Sequence, residues 1–296
     1  MATEELKHVS GQHASDTKAD YWQSRPVLKK ISFAEKIRSN QLISVLLSFI
    51  LPMRFGNEKR VASWLKKLQP NTVLDVACGV GKIQIPKFSE YSIGVDITGY
   101  PKMSAQLKGY HELLTYAPPS YEFNTSRQAD TITIINLNAH ISKDSFGKIL
   151  TMALSNSKDH SYVILINEYK GSNLVYSLMN HFSKNKFAAM IAMQQHDYFT
   201  THHEFSSWLS SNFSNLHTIQ SKSVATLPPL LHTFSYLKSG NGKNYFEIGV
   251  PAWLNIFFLL IEIPLGILDS LYMRLFPSRT IDKSYICGHL FKVEKK

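Results

Sequence analysis

Cysteine is scarce in this chain. Its 296 residues include only two cysteines, Cys78 and Cys287. Neither has a neighbour at the spacing of a metal-binding motif, and two distant cysteines do not make a disulfide framework. The sequence therefore predicts no metal centre and indicates a reducing compartment.

Long hydrophobic runs without charge are also missing. Within the apolar segment 248–276 the longest charge-free run covers fourteen residues, 248–261, whereas a membrane-spanning helix needs about twenty. The first residues are polar and mixed in charge, and they lack the basic start and apolar core of a secretion signal. We therefore expect a cytoplasmic protein, with peripheral membrane contact as a further possibility.

Acidic residues are outnumbered, which gives a formal net charge of +10. This balance favours anionic partners, namely a phospholipid surface, a phosphorylated substrate or nucleic acid. Arginine-rich segments and the signatures of RNA-binding modules are missing, which argues against nucleic acid. With 44% apolar residues, the chain is long enough for one large α/β domain that carries insertions.

The most informative feature present is the segment VLDVACGVGK, residues 73–82. A short apolar run around Asp75 leads into a turn whose small residues let a ligand approach the backbone closely. A second apolar run, IGVD, closes on Asp96, twenty-one positions after Asp75. An acid at the end of the second strand of such a unit can bind both hydroxyls of a ribose, so the sequence predicts a nucleoside ligand. The small residues of the turn are Ala77, Cys78, Gly79 and Gly81.

This ligand is not expected to be a dinucleotide. Gln84 stands where the dinucleotide fingerprint needs its third glycine, and Asp75 would repel a diphosphate but suits a cation. The segment instead resembles the first motif of the class I S-adenosylmethionine-dependent methyltransferases, which reads acid, x, small, x, Gly, x, Gly and is followed by an acidic strand end. The matching residues are Asp75, Ala77, Gly79, Gly81 and Asp96.

The resemblance implies an α/β fold, a Rossmann-like seven-stranded mixed sheet with helices on both faces. The sequence departs from the family's pattern by an apolar helical insertion between the last two strands, where a short turn is usual. In that fold the seventh strand lies antiparallel between the fifth and the sixth. Thr201, three residues before Glu204, predicts the start of a helix. Strands are predicted at 73–76, 93–96, 121–123, 131–137, 162–167, 216–221 and 284–293.

Three units are predicted along the chain. Residues 1–58 form a flexible lead and a helical lid, residues 59–221 with 284–296 form the cofactor-binding domain, and residues 222–283 form the apolar insertion. In this insertion Asn255, Glu262 and Asp269 recur every seven residues and would share one narrow stripe of a helix. The apolar segments 41–53 and 248–276 could pack as core or lid, line a substrate pocket, form a homodimer interface or dock on a membrane.

S-adenosylmethionine is the cofactor that the resemblance implies. The turn from Ala77 to Gly81, including Cys78, would approach its methionine end, and Asp75 would orient its amino group. Asp96 would bind the ribose. Further cofactor contacts are expected from Ile97, which could pack on adenine, from Asn124, the nearest candidate for the adenine amino group, and from Asn136 after the fourth strand.

His140 is the candidate catalytic base, because a pKa near 6.5 suits proton removal at neutral pH. The alternative is that it caps a helix or bonds a neighbouring group. Adjacent His202 and His203 would point about 100° apart on a helix, which argues against a metal site. The candidate substrate-binding residues are Glu168, Tyr169, His196 and Tyr198.

The function implied is methyl transfer from S-adenosylmethionine to the oxygen or nitrogen of a small, apolar or lipid-like acceptor. Two alternatives stay open, an RNA methyltransferase and a cofactor-binding module without catalysis. The segment NLNAH, residues 136–140, lacks the Asn/Asp-Pro-Pro-aromatic motif of enzymes that methylate amino groups of nucleic acids and proteins. This counts against the first alternative and leaves the second.

Overall fold

The computed structural model describes residues 41–79, 83, 85–97, 109–139, 141–169, 199, 201–230 and 252–295. Within them lie seven β-strands and six α-helices. The strands are β1 Thr72–Val76, β2 Tyr91–Ile97, β3 Glu112–Tyr116, β4 Ala129–Ile135, β5 Ser157–Glu168, β6 Leu216–Ala225 and β7 Ile286–Val293. The helices are α1 Gln41–Ile50, α2 Pro52–Leu68, α3 Lys143–Ser155, α4 His202–Asn212, α5 Ala252–Leu275 and α6 Pro277–Ile281.

All seven strands join one sheet in the order β3-β2-β1-β4-β5-β7-β6. The first five run parallel, and β7 lies antiparallel between β5 and β6. This confirms the predicted fold class, including the reversed last strand. Since parallel strands end at the same edge, the carboxyl ends of β1, β2, β4 and β5 meet there, which is where open α/β sheets bind ligands.

Both faces of the sheet are covered, which is why the central strands β1 and β4 are buried along most of their length. Leu74 and Val76 of β1 lie in a core with Phe146 of α3 and Phe205 of α4. On the other face, Val73 lies in a core with residues of α2, including Trp64 and Leu65. The strand alternation thus divides β1 between two cores and holds its carboxyl end rigidly.

The predicted third strand at 121–123 is wrong. The strand lies earlier, at Glu112–Tyr116, where Thr115 pairs with Asp96 of β2. Its side chains are mostly half-buried because β3 is an edge strand, and its two polar residues weaken the apolar pattern. Tyr121 and Phe123 are buried, but they lie in an irregular segment of the chain that packs on Tyr116.

Several local expectations are refined. The helix between β1 and β2 appears in the described residues as a short 3-10 helix, Ile85–Phe88. Helix α2 begins at Pro52 and continues past residue 58, which was the predicted boundary between the lid and the next unit. The capping prediction is confirmed, because Thr201 Oγ1 accepts a hydrogen bond from the Glu204 amide at 3.1 Å.

Between β6 and β7 stands the predicted apolar insertion, whose main element is α5. Its acidic stripe turns towards the protein. Glu262 is fully buried, forms an ion pair with Arg54 and accepts a hydrogen bond from the Leu230 amide at 2.7 Å. Asp269 accepts one from the Thr226 amide at 3.0 Å. Among the described helices, α5 is long and apolar enough over Ile256–Leu275 to cross a membrane, judged by length and composition alone.

Candidate functional site

The turn after β1 wraps around the end of β2. Ala77 and Gly79 both adopt the left-handed conformation, with φ angles of 58° and 53°. Between them, the Cys78 amide donates to the Val95 carbonyl at 3.2 Å. Gly79 adopts this conformation without the steric cost that a side chain would add. The turn therefore presents its backbone to the edge where the strands end.

Asp96 joins this turn to β2. Its Oδ2 accepts a hydrogen bond from the Gly79 amide at 2.5 Å, and its Oδ1 accepts one from the Ile97 amide at 2.6 Å. The side chain is only 8% exposed, and burial raises its pKa to about 6, although the two amides oppose that shift. Each carboxylate oxygen keeps a further lone pair for a ligand hydroxyl.

Asp75 lies at the same corner and is more deeply buried. It accepts hydrogen bonds from the Tyr110 hydroxyl at 2.5 Å and the Thr133 hydroxyl at 2.7 Å. Burial raises the pKa of Asp75 to about 6, and the nearby Asp96 adds to that rise. Two buried carboxyl groups side by side favour a cationic or hydroxyl-bearing ligand over an anionic one.

Sequence reasoning missed both hydroxyl donors. Thr133 could have been found, because it stands opposite Asp75 in the β1–β4 register and adjacent parallel strands bring such side chains together. Tyr110 lies 35 positions from Asp75 in a segment with no periodic pattern. No local signal links it to the site.

The ends of β4 and β5 supply further polar groups. Asn136 has a φ of 56°, and its amide donates to the Ile166 carbonyl at 2.7 Å. Its buried Oδ1 has no hydrogen-bond partner within the described part of the chain. The Asn138 side chain binds the backbone of Glu168 at the end of β5. Its Nδ2 donates to the Glu168 carbonyl at 2.9 Å, and its Oδ1 accepts from the Glu168 amide at 3.2 Å. The structure thus brings Asn136 and Glu168 to the edge that holds Asp75 and Asp96.

Two candidates have other surroundings, and a third, Ile97, lies at the expected edge of the sheet. Tyr169 is fully buried, and its hydroxyl lies 3.0 Å from His289 Nε2 in the core. Asn124 is exposed. The strand predicted at 121–123 would have placed it directly after the third strand, but β3 ends at Tyr116. The adjacent Thr125 bonds Asn156 at 3.0 Å, ahead of β5, so Asn124 lies at the opposite, amino-terminal edge of the sheet. Ile97 is half-buried at the end of β2, paired with Tyr116.

Other candidates fall outside the described residues, and their roles stay predictions: Gly81, His140, His196 and Tyr198. Cys78 is described and buried. Burial raises the pKa of its thiol, so Cys78 contributes a small, uncharged side chain to the turn rather than a nucleophile.

A second polar cluster lies under α4. His202, Cys287 and His289 offer possible ligand atoms within 4.8 Å of one another. However, the His289 ring nitrogens already contact the Tyr169 hydroxyl at 3.0 Å and the Ser221 hydroxyl at 2.9 Å. Burial lowers the pKa of His289 to about 3 and raises that of Cys287 to about 12. Neutral groups with satisfied hydrogen bonds fit an internal network better than a metal centre.

Comparison with known proteins gives structural likeness at low identity. No protein-family model matches the sequence, nor does any curated protein. A structure of the plantazolicin methyltransferase BamL with a triazolic desmethylPZN analog and SAH is 16% identical, with 99% of each chain covered and a TM-score of 0.47.

Two smaller proteins also align. NodS, an N-methyltransferase from Bradyrhizobium japonicum WM9, is 8% identical over 80% of this chain and 97% of its own, with a TM-score of 0.41. YcgJ from Bacillus subtilis is 17% identical over 80% and 99%, with a TM-score of 0.45. At this level of likeness no activity can be transferred, so the fold assignment stands on the sheet order itself.

Proposed function

We propose that this chain is an S-adenosylmethionine-dependent methyltransferase that acts on a small, apolar or lipid-like acceptor. The observation that carries the proposal is the hydrogen bond between Asp96 and the Gly79 amide. It places the acid at the end of the second strand directly beside the small-residue turn, at the edge of the sheet where nucleosides bind. Two hydroxyls of a ribose can each donate to the lone pairs that the carboxylate keeps.

The remaining groups fit a cationic cofactor. Asp75 lies buried beside Asp96, and the pKa values of both are raised to about 6. A pyrophosphate would meet two carboxylates here, whereas the ammonium and sulfonium of S-adenosylmethionine would offset their charge. The orphaned Asn136 Oδ1 offers an acceptor at the next strand end. These residues would hold the methionine end and the ribose.

Bound here, S-adenosylmethionine would supply an electrophilic methyl group on a neutral leaving group, so the protein mainly has to position the acceptor. His140, directly after the short helix Leu137–Ala139, is proposed as the base that removes a proton from the acceptor. Glu168 stands at the end of β5, with its Oε2 held by the Tyr285 hydroxyl at 3.0 Å. We propose it as a contact of the acceptor.

An apolar acceptor is proposed because the insertion beside the fold exposes large aliphatic and aromatic side chains. The two free cysteines are both buried, which is consistent with the proposed cytoplasmic location. Nucleic acid is not proposed as a partner. Association of two copies through the apolar segments and peripheral membrane contact are further proposals.

Methyl transfer from tritium-labelled S-adenosylmethionine tests this function. The purified chain is incubated with a cell extract separated into lipid, polar small-molecule and RNA fractions. We expect label in the lipid fraction, and at least about tenfold less with Asp96→Asn at a limiting concentration of S-adenosylmethionine. The matched control Asp144→Asn, an exposed carboxyl on α3, should keep full transfer. Label in RNA would support the alternative enzyme, and no label despite cofactor binding would support a module without catalysis.

A further inference from the structure

Helix α5 turns its acidic side chains towards the protein and its apolar side chains towards the solvent. Glu262 and Asp269 face the protein and are at most 3% exposed, whereas Leu260, Leu268 and Leu275 are 64%, 61% and 70% exposed. At 100° per residue, these leucines and Leu271 fall within an arc of about 80°, opposite the two acids. A helix on the surface of a protein in water normally has the opposite arrangement.

Helix α1 extends this surface. It lies along α5, where the Ser270 hydroxyl donates to the Phe49 carbonyl at 2.8 Å. Its Leu46 is 61% exposed. We call Leu46, Leu260, Leu268, Leu271 and Leu275 the apolar face. Five exposed leucines on two adjacent helices indicate contact with an apolar phase or partner.

Beside the end of α5 lies a cavity of about 340 Å³ between α2, β6, α5 and α6. Four cationic side chains line it, which we call the basic pocket: Lys59, Arg60, Lys222 and Arg274. Among the residues that line it in the described part of the chain there is no aspartate or glutamate. The pocket is therefore complementary to an anion.

The cationic side chains of the basic pocket repel one another. Burial, with Arg274 and Arg60 nearby, lowers the pKa of Lys59 to about 8. Burial and Arg60 also lower the pKa of Lys222. The buried Nε of Arg60 has no hydrogen-bond partner within the described residues. A phosphate in the pocket would relieve this repulsion.

Phe49 of α1 connects the pocket to the apolar face. The Lys59 ammonium lies 3.1 Å from the centre of its ring, and the Arg274 guanidinium lies 5.0 Å from it. Arg274 also follows Leu271 by three residues on α5, so this cation lies at the margin of the apolar face. Basic side chains at the margin of an apolar helix suit a membrane interface, where head groups lie just above the acyl chains.

We propose that the basic pocket binds the phosphate of an anionic phospholipid while the apolar face rests among the acyl chains of one leaflet. Two weak attractions, apolar insertion and charge, are together sufficient for stable peripheral binding. Helix α5 lies in the interface rather than crossing it, because Glu262 and Asp269 tie its other side to Arg54 and Thr226. The proposal does not depend on methyl transfer.

Co-sedimentation of the full chain with vesicles tests this proposal. Phosphatidylcholine vesicles are compared with vesicles that also contain phosphatidylserine, at low and at physiological salt. We expect binding to the phosphatidylserine vesicles that weakens with salt. Arg274→Gln with Lys222→Gln should weaken it about fivefold per charge. The control pair Lys148→Gln with Lys158→Gln removes the same charge from exposed positions on α3 and β5 and should bind as the unchanged protein does.

The apolar face is tested with Leu260→Gln and Leu268→Gln, both at exposed positions that contribute little to folding. Each should reduce vesicle binding, while circular dichroism shows an unchanged melting temperature. Three results would overturn the proposal. They are no sedimentation with phosphatidylserine at low salt, equal binding of the Arg274 and Lys222 double variant, or a dimer in solution that Leu260→Gln dissociates. Cofactor affinity is also measured in the same variants. A failure of the membrane proposal can then be distinguished from a failure of the proposed methyl transfer.

Discussion

Asp96 Oδ2 lies 2.5 Å from the Gly79 amide nitrogen, although the two residues stand 17 positions apart. This contact joins the turn after β1 to the end of β2. It also presents a buried carboxylate at the ligand-binding edge of the sheet. The buried charges of these carboxylates are unfavourable, because burial raises the pKa of Asp96, and that of Asp75 beside it, to about 6.

These two carboxyl groups make the free protein more stable in mild acid. Their pKa values in the folded state exceed the ordinary value of 3.8, so the folded state binds protons more tightly than the unfolded state does. The free energy of unfolding should therefore fall as the pH rises from about 4 to about 6, by up to about 3 kcal/mol per carboxyl. Urea unfolding at a series of pH values checks this.

Asp96→Asn separates this contribution from the rest of the molecule. Because the amide carries no charge to bury, the pH dependence between about pH 4 and pH 6 should be shallower. Because its Nδ2 cannot accept a hydrogen bond from a backbone amide, the urea midpoint at pH 4 should be lower than that of the unchanged protein. The exposed control Asp144→Asn should leave both unchanged. An Asp96→Asn variant with the same pH dependence as the unchanged protein would contradict the account of a costly buried charge.

Gly79→Ala tests the turn. Its φ of 53° costs a side chain about 1–2 kcal/mol, and relaxing that strain would move the amide away from Asp96. We expect lower stability and weaker binding of S-adenosylmethionine. Gly147→Ala is the control, because Gly147 lies inside α3, where an added Cβ would come no closer than 3.4 Å to Trp208. That variant should be neutral or slightly stabilised.

Tyr110→Phe tests the support of Asp75. The variant loses the hydroxyl that donates to Asp75 at 2.5 Å and leaves that acceptor without a partner. We expect a loss of about 1–3 kcal/mol in stability at neutral pH, and a further rise in the pKa of Asp75. The difference should shrink at pH 4, where Asp75 is protonated. A loss that is the same at both pH values would mean that the hydroxyl acts through packing alone.

Arg54→Met tests how α5 is attached. Glu262 is fully buried against Arg54, and removal of one partner of a buried ion pair costs about 3–5 kcal/mol. Because Arg54 is partly exposed and Glu262 keeps the Leu230 amide, we expect the lower end of that range. Adding Glu262→Gln should recover part of the loss. Thermal melts of the single and double variants show whether the two substitutions are coupled.

The fold class could be predicted because the segment from Asp75 to Gly81, followed by Asp96, resembles the first motif of a known family. Strand β1 and the glycine turn read directly as a ligand-binding corner, and Thr201 before Glu204 correctly marked the start of α4. Strand β3 was missed because an edge strand with half-buried side chains lacks a strong apolar pattern. The misplacement of Asn124 followed from that error.

The rest of the site depends on contacts between distant segments. Tyr110 reaches Asp75 across 35 positions, and Arg60, Lys222 and Arg274 come from three different elements to form one pocket. The seven-residue spacing of Glu262 and Asp269 correctly predicted a shared stripe. It could not show that this stripe faces the protein, because that orientation depends on Arg54 and Thr226.

Isothermal titration of the purified chain with S-adenosylmethionine and S-adenosylhomocysteine, with NAD as the control ligand, tests the central claim most directly. We expect both ligands to bind and NAD not to bind. Asp96→Asn should weaken their affinity by at least about tenfold, since a charge-assisted hydrogen bond contributes about 1.5–3 kcal/mol. Asp144→Asn should bind as tightly as the unchanged chain. Equal affinity in Asp96→Asn, or binding of NAD alone, would contradict the assignment of this corner as an S-adenosylmethionine site.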